Sequence, residues 1–274
     1  MINFRGTFSL KFNFFSRLAG AKIITFYREN TYQFKPTPTK MLITWFAERL
    51  NWSISHQVYT NGSSMPSSYL QEKLDVEKIK RINNFIPIPL IQWQKKERKE
   101  ISVSHVGRAV EAKNYSTLIK AVSLFCRQYP ERDLVLELIG PNLETYIGKI
   151  ADVANLPFKI RFHGYLKNPS DVLMESDVFI FPSTSEGQPN ALLEAAALGI
   201  PILASNISSN RRALNKDMGK SLVPVFAARR FSQGLAGIID KGPDYSIDNL
   251  RKFIAKRYCE EQTFGTLTES INRW

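Results

Sequence analysis

The chain has 274 residues, 43% of them hydrophobic, and carries 37 lysines and arginines against 25 aspartates and glutamates, a formal net charge of +12. That content supports a sizeable core in one long or two shorter domains, which excludes a disordered or fibrous chain. Two cysteines, Cys126 and Cys259, without CxxC or Cys/His spacing exclude a disulfide framework or zinc ribbon and point to a reducing cytoplasmic setting. No Asp-x-Asp pair occurs and His56, His105 and His163 are scattered, so no obligatory metal is expected.

In chain order, the first segment reads as a strand at Ile2 to Phe4, a helix at Ser9 to Leu18 and a strand at Ala21 to Tyr27. Arg5, Lys11 and Arg17 interrupt its aromatic stretch, leaving no uncharged run long enough to span a bilayer and no credible signal peptide. Phe14, Phe15 and Leu18 stand at helical spacing, as a buried face or as a contact with an anionic membrane surface. Met41 to Leu50 reads as an amphipathic helix and Gln57 to Gly62 as a strand and turn, after which Ser67 or Ser68 is placed to cap another helix. Pro87 and Pro89 favour extended backbone and Gln92 to Glu100 is polar, so residues 1–86 are assigned to a first domain and 87–100 to a linker.

From residue 101 strands and helices alternate, at 101–106, 116–129, 134–139, 144–154, 159–163, 170–176, 177–181, 188–198 and 200–204. This rhythm predicts a doubly wound parallel α/β domain over 101–244, followed by a helical tail over 245–274. Ligands of such sheets sit beyond the carboxyl ends of the strands, where Gly107, Gly140, Gly164 and Glu186 all fall. These glycines either admit a ligand close to the backbone or serve ordinary turns. After the first of these strands Gly107 allows a sharp turn, and Arg108 and Lys113 then offer a planar fork and a point charge suited to a diphosphate, or simply lie in solvent. The apolar run Asp177 to Phe181 leads through a loop into a helix beginning near Pro189, with Gly199 as its stop and Pro201 barring continuation. The unpaired amides at that helix start favour an anion. Glu186 at the loop mouth and Glu194 one turn inside suit the hydroxyls of one elongated ligand, the alternative being a cap and a solvated glutamate.

The segment Glu186 to Ala195, EGQPNALLEA, resembles the E-x7-E segment of retaining glycosyltransferases of the GT-B fold, family 4 type. Val103 to Val122, the strand ending at Gly140 and Ile160 to Leu166 resemble that family's donor domain in order and spacing. The resemblance implies an α/β, GT-B-like protein with a complete C-terminal Rossmann-like donor domain, an incomplete N-terminal one, and a tail that returns to brace the first domain. It implies transfer of a hexose from a UDP or GDP sugar, without a cofactor, to a lipid-linked or saccharide acceptor, as in bacterial capsule, O-antigen or lipopolysaccharide synthesis. The work would then be done in the cytoplasm or at the inner face of its membrane. Glu186, Arg108 and Lys113 take the catalytic positions, and Gly107, Gly140, Gly164, Gly187, Gln188, Pro189, Asn190 and Glu194 join them around the donor.

Three departures accompany the likeness. The first domain is about a hundred residues shorter than the pattern, as though truncated at the N-terminus. A histidine common after the strand matching Ala21 to Tyr27 is replaced by Arg28 and its neighbours, making Arg28 a candidate acceptor-side contact. Ser208 to Arg212 stand where a glycine-rich turn and a glutamate are common. A donor-binding remnant without catalysis is the rival reading. Nucleic-acid binding rests on charge alone, without helix-turn-helix, zinc or RNP signature, and is not expected.

Overall fold

A computed structural model describes residues 2–4, 22, 24–27, 50, 53–60, 79–97 and 99–272. The chain forms two compact units, one of residues 1–84, 186–188 and 263–274 and the other of residues 85–185 and 189–262. The expected helices at Ser9 to Leu18 and after Ser67, the membrane-facing trio Phe14, Phe15 and Leu18, and Arg28 lie outside the described residues, as does all of the Met41 to Leu50 helix except Leu50.

The first unit contains a parallel sheet in the order β1 (Ile2–Phe4), β2 (Ile24–Tyr27), β3 (Gln57–Thr60), β4 (Ile79–Arg81). β3 lies between two strands, pairing Val58 with Thr25 on one side and Ile79 on the other, and its Val58 and Tyr59 are fully buried. β4 is absent from the sequence reading because Lys80 and Arg81 interrupt its apolar pattern; only pairing along β3 makes Ile79–Arg81 a strand.

The second unit is a six-stranded parallel sheet in the order β10-β9-β8-β5-β6-β7. Its strands are β5 (Ile101–Val106), β6 (Leu134–Ile139), β7 (Lys159–Gly164), β8 (Val178–Phe181), β9 (Ile202–Ser205) and β10 (Leu222–Val223). Between and after them run α1 (Tyr115–Gln128), α2 (Leu143–Gly148), α3 (Ser170–Met174), α4 (Asn190–Leu198), α5 (Ser208–Ala213), α6 (Ala228–Lys241) and α7 (Ile247–Arg257), and α8 (Glu260–Asn272) closes the chain. Parallel strands buried on both faces read as continuous apolar runs, and β6 and β8 are buried at every position.

Alternation along each strand sends neighbouring side chains into two cores. Val178 and Ile180 of β8 join Leu203, Leu118 and Phe125 of α1 and Phe231 and Leu235 of α6. Phe179 and Phe181 join Leu192 and Leu193 of α4 and Leu250 and Ile254 of α7. Helices therefore cover both faces, as the alternating rhythm requires. The helix expected over 144–154 is instead α2 and a separate single 3-10 turn at Val153–Asn155. Helical interruption at Gly148 is consistent with its low helix propensity.

β7 is an edge strand, and its inner neighbour carries Glu137, buried at 5% exposure. Arg161 Nη1 donates to Glu137 Oε1 at 2.8 Å and His163 Nε2 lies 2.7 Å from Oε2, so the carboxylate is served on both oxygens. Arg161 also reaches Glu100 at 2.8 Å, tying the start of β5 to the edge. Phe231 has no exposed surface and sits in the core on the α1 side of the sheet. Phe231→Ala is expected to destabilise the protein by about 3–5 kcal/mol, read as a lower urea midpoint at unchanged slope.

Candidate functional site

Three glycines stand side by side at the carboxyl edge of the six-stranded sheet. Gly107 follows β5 and its N–H donates to Ile139 O at 2.9 Å; Gly140 follows β6 and its N–H donates to Gly164 O at 2.8 Å. A Cβ on Gly140 would lie 1.9 Å from Gly107 O, and its φ is +153°, so a side chain is barred there twice. Gly107 has no left-handed φ, and the turn itself does not demand glycine. What demands it is crowding: a Cβ would lie 2.9 Å from His105 Nε2 and 3.1 Å from both Lys113 Cδ and Tyr115 Oη. Gly164 adopts φ +64° with open space beside it, so there glycine serves the backbone alone.

Gly107 opens a short loop that carries both expected cations. Arg108 is exposed, while its carbonyl accepts from Val110 N at 2.8 Å and from the Tyr115 hydroxyl at 3.3 Å. Lys113 is half-buried at the end of a 3-10 turn, Glu111–Lys113, with its ammonium 4.7 Å from the centre of the Phe181 ring. This loop is stitched to the one after β8: Asn114 Nδ2 donates to Pro182 O at 3.1 Å, and Thr184 N–H donates to Ala112 O at 2.8 Å. Asn114 sits at φ 54°, ψ 47°, ending the 3-10 turn and starting α1. Sequence reading passed over it, although an asparagine between a turn and a helix is a residue suited to left-handed backbone.

His105 lies beneath this loop with no exposed surface, packed edge-on to Tyr115 at 5.0 Å and stacked with Phe179 and Phe181. Its Nδ1 is 2.9 Å from Ile180 O, which can only accept, so Nδ1 carries the hydrogen and Nε2 keeps a lone pair. Burial, aided by the Lys113 charge, lowers its pKa to about 3. The ring is neutral throughout the physiological range, so the positive charge of this loop belongs to Arg108 and Lys113 alone among its described side chains.

The Glu186–Gln188 segment groups with the first unit. Glu186 and Gln188 are half-buried and Gly187 is buried. Gln188 uses its amide on the backbone of Asn84, accepting from its N–H at 2.8 Å and donating to its carbonyl at 2.9 Å. In the second unit, α4 begins with Pro189 as its N-cap and no side chain caps it. The first-turn amides of such a helix start favour an anion. Glu194 is half-buried in α4, without a hydrogen bond or ion pair among the described residues, and burial raises its pKa. Asn190 is half-buried in the first turn. Among the described residues no group of three or more His, Cys, Asp or Glu side chains is placed to hold a metal.

Glycosyl transferases group 1 match residues 89–256, which contain the glycine floor, the Arg108–Lys113 loop and the Glu186–Glu194 segment. The chain belongs to that family. A capsular polysaccharide biosynthesis glycosyltransferase, CapH of Staphylococcus aureus, is 33% identical over 142 residues, 50% of this chain and 39% of its own length. A UDP-Gal:alpha-D-GlcNAc-diphosphoundecaprenol alpha-1,3-galactosyltransferase of Escherichia coli is 31% identical over 86 residues, 31% of this chain and 22% of its own. The solved structure of Anabaena HepE in complex with UDP and glucose superposes with a TM-score of 0.81 at 14% identity, covering 100% of this chain and 78% of that one. The fold is thus that of GT-B glycosyltransferases. The chain matches well under half the length of those two curated relatives.

The glycine floor and the histidine beneath the loop can each be tested by substitution. Gly140→Ala is expected to cost about 3 kcal/mol, because the methyl group meets a carbonyl oxygen that two strands hold in place. Gly148→Ala, with nothing within 4 Å of its Cβ, should stay within about 1 kcal/mol of the parent in the same denaturation assay. The unfolded chain binds a proton at His105 near pH 6.5 that the folded chain refuses until about pH 3. Stability should therefore fall by about 1.4 kcal/mol per pH unit from this group as pH drops below 6.5, and His105→Phe should flatten that part of the stability profile.

Proposed function

We propose that the chain binds a nucleotide-diphosphate sugar, UDP- or GDP-linked, at the carboxyl edge of the six-stranded sheet and transfers its hexose with retention, as family 4 enzymes do. The observation that carries this reading is the joining of the Arg108–Lys113 loop to the loop after β8, beside the glycine floor. Arg108 and Lys113 stabilise the diphosphate as it leaves and gathers negative charge, and the start of α4 at Pro189 and Asn190 adds its amides to that task. Gly107, Gly140 and Gly164 let the ligand lie against backbone. Glu194, a half-buried carboxyl with no partner among the described residues, accepts the ribose hydroxyls, and Glu186 with the backbone of the Gly187–Gln188 turn holds the sugar. No side chain is assigned as a covalent nucleophile.

The acceptor class is a lipid-linked or growing saccharide of a cell-surface polysaccharide. The names of the two curated relatives support it, one in capsule biosynthesis and one acting on a diphosphoundecaprenol sugar. Such an acceptor places the work at the inner membrane face, and the net charge of +12 favours an anionic surface there. No helix among the described residues is long and apolar enough to cross a membrane.

Calorimetric titration with UDP, GDP and their sugar conjugates tests the donor site. Saturable binding is expected, weakened roughly 10- to 100-fold by Arg108→Ala or Lys113→Ala, the loss expected for one hydrogen bond to a charged group. Glu194→Ala should weaken the nucleotide itself as much as its sugar conjugate. A folded protein that binds none of these ligands would end the donor reading, and binding without transfer or hydrolysis would mark a donor-binding remnant.

A further inference from the structure

The chain passes between its two units at four places, and Asn84, Gln188 and Thr263 are the first-unit residues at three of them. All three meet through one short piece of backbone within that unit. The Gln188 amide pairs with both the N–H and the carbonyl of Asn84, and the Thr263 hydroxyl donates to Asn83 O at 3.0 Å. Gln188 copies the pairing of an adjacent strand across 104 residues of sequence. Thr263 is 9% exposed and Gln188 is half-buried, so these bonds are partly shielded from competing water.

We propose that Gln188 is a positioning residue whose side chain clips the Glu186–Gln188 turn to Asn84 and so presents Glu186 and Gly187 to the donor sugar; this rests on the donor-site reading above. The turn lies between the loop after β8 and the start of α4, and a loop with no internal hydrogen-bond ladder needs an external tether to hold one backbone course. An amide that donates and accepts at one residue supplies that tether and spends its polar groups in doing so. Its part is therefore to hold the turn, with the sugar contacts left to Glu186 and the turn's backbone. Thr263 steadies the other end of the same backbone piece.

Two measurements on the full chain test it. Amide hydrogen exchange reads the clip without any ligand: Asn84 N–H is protected in the parent and exchanges about tenfold faster in Gln188→Leu, the change expected from loss of one hydrogen bond. Calorimetry with UDP, GDP, UDP-glucose, UDP-galactose and GDP-mannose reads the consequence. In Gln188→Leu the sugar conjugate that the parent prefers is expected to lose about tenfold in affinity while the bare nucleotide keeps its own. Gln188→Glu, which sets a carboxylate oxygen against the Asn84 carbonyl, should give the same split, and Thr263→Val a smaller one in the same direction. Equal losses for nucleotide and conjugate would mean general damage and would overturn the proposal, as would unchanged exchange at Asn84 or unchanged conjugate affinity. If the parent binds none of the five ligands, the donor-site reading fails and takes the positioning role with it, while the exchange arm still reports whether the clip forms.

Discussion

Everything at the candidate site depends on how closely the first two strands of the second unit approach at their carboxyl ends. Gly107 O occupies the volume in which a side chain on Gly140 would sit, and Gly107 itself is hemmed by His105, Lys113 and Tyr115. Two strands whose ends touch backbone to backbone leave a floor without side chains, which is the surface a polar, phosphate-bearing ligand needs if main-chain amides are to reach it. The hydrogen bonds from Gly107 to Ile139 and from Gly140 to Gly164 extend the floor across three strands.

Charge is layered above and below that floor. A protonated histidine under the loop would add a third positive charge, yet the price of burying it keeps His105 neutral, and its Nδ1–H is spent on β8. Lys113 lies over the Phe181 ring, a contact that steadies its ammonium near the floor. Against these cations, Glu194 is a carboxyl whose burial disfavours ionisation. A partly buried acceptor without a partner is costly unless something donates to it, and ligand hydroxyls are the donors that the proposed chemistry brings.

Much of this was legible in the chain. Strands buried on both faces leave apolar runs such as Val178–Phe181, and Gly199 and Pro201 punctuate the helix between β8 and β9, so the alternation over 101–204 could be read to within a few residues, the helix expected over 144–154 excepted. The glycine positions could be read too, though not their full reason: the sequence offers a turn for Gly107, whereas its need is the close approach of His105 in β5, Lys113 in the 3-10 turn and Tyr115 at the start of α1. Asn114 is not marked in the sequence at all, and Gln188 is marked only as a donor-site residue and not as a partner of Asn84, because their partners lie 68 and 104 residues away and no local pattern marks a bond of that span.

The sequence by itself determined the parallel α/β architecture of the second unit, the family and the residue types offered to a ligand, because periodicity, glycine and proline placement and charge act over a few neighbouring residues. Only the tertiary structure decided which loops are stitched together, why each glycine is a glycine, that His105 is neutral and that β4 is a strand at all. These follow from contacts between segments far apart in the chain, whose energies depend on burial and approach distances that exist only once the sheet has formed.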